Sequence, residues 1–476
     1  LAMTSVPSNI FRGYDIRGIA DTELTDEIVD KIARAYATVL VQRRINQVVI
    51  GRDNRVSGER VTKQFTQSLL DSGIDVIDIG LSLAQIVYYS AYYFRTKGYV
   101  MVSASHNPKE YNGLKIGVGY SDTMITEELQ DLRVIAQSEK FLSYPRKGTL
   151  SQSDIFLDYK KDILKLFPEL PLNFKVVVDT GNDTSGLFLP QILREAGCEV
   201  IEQNTNLDGN FPLGTPDPTE NEFLERLAHG VKEHQADLGL AYDPDGDRLG
   251  VVDHTGTPVW NDILVALFAR DVLSSNSGAN IIYNTLCSKM VKEVIEQAGG
   301  KPVMWLTGHS FIKAKVKETR SPFGGELSGH FFFMDNFYGH DDSANASLRL
   351  LSYLQRTNQT LKQAVETLPD YISSPEIKLG LADDIKFSFI KDTIAPELKS
   401  AFPNGQADML EGIRLELPTG MVMIRASQNG PYITIKFESK NQEEYEQLRL
   451  VVGKLMKKHP EIDFSHGVNI QIFEDI

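Results

Sequence analysis

A serine with two basic neighbours follows a predicted strand. The apolar run at 99–102 leads into Ser105, and Pro108 holds the next residues in a loop. His106 adjoins the serine and Lys115 follows shortly after. An acceptor for a phosphoryl group, a proton carrier and a fixed cation would then share one rim. The same residue types form ordinary turns, so this loop taken alone favours a structural role.

An acidic loop follows the predicted strand at 238–241. Its three alternating carboxylates are Asp243, Asp245 and Asp247. They would converge on one hard cation such as Mg²⁺ if Gly246 lets the backbone curl. A helix-loop-helix calcium site does not fit, because Arg248 stands where that loop requires Gly and His254 where it requires Glu. A solvated acidic turn is the alternative, but three buried like charges without a cation would be costly.

A glycine-flanked segment at 324–330 reads Gly-Gly-Glu-Leu-Ser-Gly-His. The small neighbours leave Glu326 and Ser328 free to hydrogen-bond a ligand rich in hydroxyls, and His330 is a candidate acid or base. His309 lies at a predicted strand-to-helix junction, and helix N-termini attract anions. A glycine-rich turn with a capping serine explains the same segment about equally well.

The segment at 425–431 reads Arg-Ala-Ser-Gln-Asn-Gly-Pro between two predicted strands. Donors from Arg425, Ser427 and Asn429 around a tight turn suit a phosphate dianion. A simple hairpin loop is about as compatible with these residues alone. The four loops together predict phosphoryl transfer on a phosphosugar that is held in a central cleft.

The elements that must position these loops follow a repeated pattern. Strand, polar loop, helix, glycine and strand succeed one another at 48–79, 176–202 and 281–306, which is a βαβ signature. Later, two strands and the helix at 443–458 lack this rhythm and indicate an α+β domain. Near the start, residues 10–18 predict a short strand followed by a loop that carries Arg17.

The predicted fold class is therefore α/β, with three tandem α/β domains of mainly parallel mixed sheets and a C-terminal α+β domain around a central cleft. The predicted domains are 1–148 with the serine loop, 149–254 with the acidic loop, 255–369 with the glycine-flanked loop and 370–476 with the phosphate-type loop.

Composition limits the partners. The 476 residues include 42% hydrophobic side chains, enough for several cores of about 100–150 residues each. A formal charge of -15 disfavours nucleic acid as the main partner, and we expect no membrane span and no signal-peptide core. Cys198 and Cys287 fit free thiols in a reducing cytoplasm. We expect Met3 to be the native first residue.

With these motifs in this order, the chain resembles the α-D-phosphohexomutases over nearly its whole length. The resemblance rests on residues 14–18 (Tyr-Asp-Ile-Arg-Gly), 103–108, 243–248, 326–330 and the loop at Arg425. Within the family, the segment around Leu327 is closest to bacterial members that act on both mannose and glucose phosphates. Phosphoglucosamine mutases, the alternative, carry Gln at that position.

The resemblance implies roles residue by residue. Ser105 would carry a phosphate, and the ligands of Mg²⁺ would be Ser105, Asp243, Asp245 and Asp247. The groups implied to stabilise the transferring oxygens or move a proton are Arg17, Lys115, Arg248, His309 and His330. The groups implied to bind the substrate are Tyr14, Glu326, Ser328, Arg425, Ser427 and Asn429. A hexose 1,6-bisphosphate would serve as intermediate and activator, and the partner would be a small-molecule phosphosugar and neither nucleic acid nor a membrane.

Two details qualify this expectation. Neighbouring side chains of an extended chain point to opposite sides, so we expect His106 to face away from the substrate hydroxyl. The family's last loop usually has Asn-Thr or Gly-Thr after the serine, whereas this chain has Gln428, Asn429 and Gly430.

A serine hydrolase is disfavoured, because the Gly-x-Ser-x-Gly elbow is missing around Ser105. A binding protein that keeps the fold without chemistry is a third possibility.

Overall fold

The computed structural model describes residues 5–428 and 430–476, so Met3 and Asn429 lie outside the described residues. The first sheet has the strand order β1-β5-β4-β2-β3-β6. The elements of this first unit are β1 (Ile16–Ile19), α1 (Asp26–Gln42), β2 (Gln47–Arg52), α2 (Gly58–Asp71), β3 (Asp75–Leu81), α3 (Ala84–Tyr93), β4 (Gly98–Val102), β5 (Tyr111–Gly117), α4 (Glu127–Ser138) and β6 (Leu150–Gln152).

The second sheet has the order β11-β10-β9-β7-β8. Its unit comprises α5 (Phe156–Leu164), β7 (Lys175–Asp179), α6 (Ser185–Glu195), β8 (Glu199–Gln203), α7 (Asn221–His234), β9 (Leu238–Tyr242), β10 (Leu249–Asp253) and β11 (Pro258–Val259). The pairs β7·β8 and β7·β9 are parallel and β9·β10 is antiparallel.

The third sheet has the order β13-β12-β14-β15. Its unit comprises α8 (Asn261–Leu273), β12 (Asn280–Asn284), α9 (Lys289–Gln297), β13 (Lys301–Trp305), α10 (His309–Thr319), β14 (Phe323–Gly325), β15 (Phe331–Phe333), α11 (Ser343–Thr357) and α12 (Leu361–Val365). One continuous apolar core joins the second and third units.

The fourth sheet is antiparallel, with the order β18-β19-β20-β21-β17-β22, and β16 also pairs with β21. Its elements are β16 (Ile372–Ser373), β17 (Ile377–Gly380), α13 (Lys386–Phe389), α14 (Ala395–Ala401), β18 (Gln406–Asp408), β19 (Ile413–Glu416), β20 (Gly420–Ala426), β21 (Tyr432–Ser439), α15 (Gln442–Lys458) and β22 (Asp463–Val468).

These sheets confirm the predicted fold class, three α/β units with mixed sheets followed by a different fourth unit. The interpretation of residues 10–18 was wrong in its order. A turn at 8–10 comes first and strand β1 comes last, because Ile16 to Ile19 find a partner strand in β5. The domain boundaries at 148, 254 and 369 stay a prediction.

The four loops that the sequence marked each leave a strand end. The serine loop follows β4, the acidic loop follows β9, the glycine-flanked loop follows β14, and the last loop joins β20 to β21. Side chains from all four units line one cleft. None of the helices in the described part of the chain is long and apolar enough to cross a membrane.

A buried ion pair fixes the fourth unit to the third. Lys436 Nζ on β21 lies 2.6 Å from Asp262 Oδ2 at the start of α8, and both side chains are about 4% exposed. The same carboxylate oxygen accepts a hydrogen bond from the Ser288 backbone N–H. Because both side chains are almost entirely buried, loss of one partner leaves the other charge buried and uncompensated.

We therefore expect Lys436→Met to lower the free energy of unfolding by about 3–5 kcal/mol, measured by thermal or urea unfolding. The double variant Lys436→Met/Asp262→Asn should recover part of this loss, since no unpaired charge remains. The control is Lys440→Met, which breaks an exposed pair with Glu293 and should cost about 1 kcal/mol at most. Equal losses for Lys436→Met and Lys440→Met would contradict the argument.

Candidate active site

Arg55 holds the backbone of the serine loop. Its side chain is fully buried and donates hydrogen bonds to four carbonyl oxygens, those of Ser105 (2.5 Å), Asn107 (2.6 Å), Pro108 (2.7 Å) and Tyr111 (3.0 Å). Asp53 Oδ2 accepts from Arg55 Nε at 3.2 Å and balances the charge. One guanidinium therefore binds three carbonyls of this irregular loop and one at the start of β5, which fixes the shape of the loop.

The Ser105 backbone adopts a left-handed conformation, with φ at 49°. Its N–H donates to Ser103 Oγ at 2.8 Å, and its hydroxyl donates to Asp243 Oδ2 at 2.7 Å. Such a conformation in a residue other than glycine is uncommon and is typical of functional loops. The hydroxyl thus lies against the acidic loop of the second unit.

The expectation for His106 was wrong. Its Nδ1 lies 3.3 Å from Ser105 Oγ, and its side chain lines the cleft. The prediction assumed an extended chain, but the left-handed turn at Ser105 brings the two neighbouring side chains to the same side. Burial lowers the pKa of His106 well below its usual range, so the imidazole is neutral.

The acidic loop is completely buried. Gly246 takes a φ of 66°, and a Cβ there would lie 2.8 Å from the Leu83 side chain, so the curl that the sequence suggested requires glycine. Lys115 Nζ lies 2.7 Å from Asp245 Oδ2 and 2.5 Å from Asp247 Oδ2. A single cation of the first unit therefore pairs with two carboxylates of the second.

Burial and the neighbouring cations have opposite effects on the pKa values of the carboxyl groups in this loop. Burial raises the pKa of Asp243 well above its usual range, and the neighbouring carboxylates of Asp245 and Asp247 add to this effect. Burial also favours the neutral form of Asp245, but Lys115 overrides it and holds the pKa of that carboxyl at about 2. The loop therefore carries more acidic groups than its present cations satisfy.

The donor set fits a divalent cation. One oxygen each of Asp243, Asp245 and Asp247 lies within 4.8 Å of the other two. Asp245 Oδ1 and Asp247 Oδ1 are buried and have no hydrogen-bond partner among the described residues. Three converging carboxylates, two of which keep buried oxygens without a partner, are the ligands that Mg²⁺ prefers. Ser105 is close enough to the loop to join them through its contact with Asp243.

Two arginines flank the serine loop. Arg17 Nη1 donates to Asn107 Oδ1 at 2.7 Å, and its Nε is held by Asp15 at 2.7 Å. Arg248 Nε lies 3.7 Å from Asp243 Oδ2 and donates to His330 Nε2 at 3.1 Å. Both guanidinium groups therefore lie where charge on a group bound to Ser105 would be stabilised.

A buried carboxylate that the motifs did not mark faces both candidate histidines. Asp341 Oδ2 lies 3.0 Å from His330 Nδ1 and 3.6 Å from His309 Nδ1. Although burial opposes ionisation, Lys313 and His330 hold the pKa of Asp341 well below its usual range. An ionised carboxylate beside Nδ1 favours the proton on that nitrogen.

This arrangement leaves different atoms available on the two histidines. Nε2 of His330 is occupied by the hydrogen bond from Arg248. Nε2 of His309 is buried and has no partner within the described part of the chain. Burial lowers the pKa of His309 well below its usual range, so the ring is neutral. His309 Nε2 is thus an available proton acceptor in the cleft wall.

The residues proposed to contact a sugar also line the cleft. Glu326 Oε1 accepts a hydrogen bond from the Gly308 N–H at 2.6 Å, and its Oε2 has no partner among the described residues. Burial raises the pKa of Glu326 to about 7. Ser328 lies beside it in the cleft wall, and the ring of Tyr14 packs edge-on against His309 at 4.9 Å between centroids.

The fourth unit closes the cleft. Arg425 and Ser427 line it, and Arg425 Nη2 lies 2.7 Å from Glu411 Oε1. Asn429, the third predicted donor, lies outside the described residues. Gln428 approaches the first unit so closely that a Cβ on Gly13 would lie 3.2 Å from its Oε1. The first and fourth units therefore contact each other at the cleft.

Sequence reasoning missed Arg55 and Asp341. Arg55 follows β2 in a polar segment without a recognisable motif, and its partners are backbone carbonyls that no sequence pattern reveals. Asp341 precedes Asp342, whose side chain caps α11 by accepting from the Asn345 N–H. The pair Asp341-Asp342 before a helix was a usable signal, since a helix needs only one capping residue.

Comparisons with known proteins agree with this geometry. Three family models match in order, those of phosphoglucomutase/phosphomannomutase alpha/beta/alpha domain I at residues 8–143, domain II at 154–256 and domain III at 260–371. The phosphomannomutase/phosphoglucomutase of Pseudomonas aeruginosa is 39% identical over 95% of this chain and 96% of its own length. The phosphoglucomutase of Neisseria gonorrhoeae is 34% identical over 97% and 99%.

A solved structure has the same architecture. The phosphoglucomutase/phosphomannomutase family protein of Burkholderia thailandensis superposes with a TM-score of 0.86 at 31% identity and covers 95% of this chain and 98% of its own. The likeness extends over all four units.

The acidic loop predicts a metal-dependent gain in stability. Mg²⁺ that binds the folded state alone should stabilise the protein by about 2.7 kcal/mol at a hundred times its dissociation constant. We expect a higher thermal unfolding midpoint in Mg²⁺ than in a chelator, and Asp245→Asn should abolish this difference. The matched control is Asp253→Asn, a buried aspartate at the far end of β10 that should keep the gain. An undiminished Mg²⁺ response in Asp245→Asn would contradict the assignment.

Proposed function

Because the chain belongs to the phosphoglucomutase/phosphomannomutase family, we propose that it is a Mg²⁺-dependent phosphomannomutase/phosphoglucomutase. It would interconvert the 1-phosphate and the 6-phosphate of mannose or glucose. The observation that carries the proposal is the Ser105 hydroxyl, 2.7 Å from Asp243 in a loop of three buried carboxylates. A serine in this position serves as a phosphoryl carrier.

In the proposed reaction, phosphorylated Ser105 transfers its phosphoryl group to the free hydroxyl of a hexose phosphate. The resulting hexose 1,6-bisphosphate turns over in the cleft and returns its other phosphate to Ser105. A reaction in two transfers through the same serine needs one phosphoryl site and one site for the other phosphate. The Ser105 loop and the Arg425 loop face the cleft from the first and the fourth unit and meet these two needs.

Cations around Ser105 lower the barrier by stabilising the transferring oxygens. Bound at Asp243, Asp245 and Asp247, Mg²⁺ would supply Lewis-acid stabilisation of phosphoryl oxygens. Lys115 stays an ammonium, because Asp245 and Asp247 outweigh burial and raise its pKa. It therefore acts as a fixed cation and not as a base, and Arg17 and Arg248 add charge on either side of the loop.

The substrate hydroxyl must lose its proton as the phosphoryl group arrives. His309 is the best candidate acceptor, because its ring is neutral, it lines the cleft, and its Nε2 has no hydrogen-bond partner among the described residues. Asp341 positions this ring and that of His330, and Arg248 bound to His330 links the pair to the acidic loop. Glu326 and Ser328 would bind two sugar hydroxyls.

The phosphoserine is tested directly by intact-mass measurement. Incubation with glucose 1,6-bisphosphate should add the mass of one phosphoryl group to the wild-type protein, and Ser105→Ala should show neither this increment nor turnover. Ser138→Ala, at an exposed serine that ends α4, is the control and should keep the increment. A phosphoryl increment that persists in Ser105→Ala would place the carrier elsewhere.

The sugar preference is measured separately, by coupled assays on glucose 1-phosphate, mannose 1-phosphate and glucosamine 6-phosphate with a trace of hexose 1,6-bisphosphate. Turnover of the first two supports the bifunctional enzyme. Turnover of glucosamine 6-phosphate alone would select phosphoglucosamine mutase, and turnover of none would refute the proposed activity. A phosphorylated but inactive protein would indicate that the fold is kept without the reaction.

The role of Asp341 gives a separate prediction. Asp341→Asn removes the charge that orients His309 and His330, so kcat should fall about 10²–10⁴-fold, as for loss of general base catalysis, while KM changes little. NMR shifts of the histidine ring nitrogens should report a changed tautomer. Asp342→Asn is the control, since asparagine also caps α11 and should leave kcat near wild type. Equal effects of the two substitutions would reduce Asp341 to a structural role.

A further inference from the structure

Three side chains form one row across the fourth sheet. Arg425 on β20 lies directly opposite Thr434 on β21, and Thr434 lies directly opposite Lys378 on β17. Residues directly opposite in antiparallel pairs project from the same face, with Cβ atoms about 4.5–5.5 Å apart. All three line the cleft. The row therefore presents a guanidinium, a hydroxyl and an ammonium side by side.

The first two members have unused hydrogen-bonding capacity. Thr434 Oγ1 and Arg425 Nε are buried and have no hydrogen-bond partner among residues 5–428 and 430–476. Thr434 is 1% exposed and Arg425 6%. Buried polar groups are rarely left without partners, so each such group requires an explanation. A ligand that accepts hydrogen bonds at this face would provide one.

Lys378 is the least tightly paired of the cations in the cleft. Its Nζ is 4.0 Å from the nearest carboxylate oxygen, Glu376 Oε1, and donates no hydrogen bond within the described residues. Lys115 and Arg425, in contrast, have carboxylate partners at 2.7 Å or less. About a quarter of the Lys378 side chain is exposed, toward the cleft. An ammonium with three free donors remains available to a ligand.

Neither Lys378 nor Thr434 belongs to any of the four motifs. We infer that both bind, together with Arg425, the substrate phosphate that is not being transferred, so that this cross-strand row is a binding site for a phosphate dianion. The identity of the ligand rests on the proposed function. Two cations around one hydroxyl donor match a dianion with three terminal oxygens.

The loop after β20 gives a reason for such a row. Ser427 is followed there by Gln428 and Gly430, which carry no hydroxyl, whereas Thr434 on the adjacent strand has a hydroxyl without a partner among the described residues. A donor from the sheet would add a second hydroxyl to that of Ser427. Because the sheet is rigid, these donors are held in place before the ligand arrives.

The test is calorimetric binding of glucose 1-phosphate and of inorganic phosphate to the full chain. Lys378→Met should raise the dissociation constant of both about tenfold to a hundredfold, the usual effect of losing a charged hydrogen bond. Thr434→Val should weaken binding severalfold, and Lys378→Arg and Thr434→Ser should restore most of it. In turnover, KM should rise with little change in kcat, since this phosphate is bound equally in ground and transition states.

Lys399→Met, at an exposed lysine of the same unit, is the charge control and should bind as the wild type does. Wild-type affinity in Lys378→Met, with an active enzyme, would overturn the inference and leave the proposed function standing. Weakened binding in a protein that binds phosphosugars without isomerising them would support the inference and refute the proposed function. Loss of binding in Lys378→Arg as well as Lys378→Met would overturn it, because charge would then not be the cause.

Discussion

Three buried carboxylates in one loop are the constraint on which the cleft depends. Asp243, Asp245 and Asp247 repel one another in a space that water does not reach, so the fold must supply positive charge from elsewhere. Among the described residues of the second unit, Arg248 is the cation that lies near these carboxylates. Lys115 comes from the first unit, and its pairing with two of the aspartates makes the contact between units a condition for burying the loop.

The Ser105 hydroxyl is positioned by the same pairing of charges between the units. The loop that carries Ser105 and the strand that carries Lys115 are adjacent, since β4 and β5 pair in the first sheet. When Lys115 reaches the acidic loop, Ser105 is brought against Asp243. The same contact between the two units therefore both balances the charge of the acidic loop and positions the Ser105 hydroxyl. A metal ion would replace part of this compensation without changing which groups converge.

The sequence predicted what is local and missed what depends on distant partners. The acidic loop could be identified because its ligands alternate within a few residues, and the curl at Gly246 followed from the same segment. Arg55 acts on backbone carbonyls of another loop, which carry no residue signature. His106 was misjudged, because the left-handed turn at Ser105 is set by those same hydrogen bonds. Asp341 is recognisable only once His309 and His330 are seen to face it.

The register of paired strands is a second feature that could not be predicted from the sequence. Arg425 lies in a recognisable loop, but its neighbours Thr434 and Lys378 follow from strand pairing, which the sequence does not specify residue by residue. The proposed reaction explains why the row of Arg425, Thr434 and Lys378 would be useful. In that reaction, a bisphosphate that turns over would present first one phosphate and then the other to the fourth unit, each beside a different part of the sugar. A site that serves both must recognise what the two ends share, which is the charge and the oxygen atoms of the phosphate.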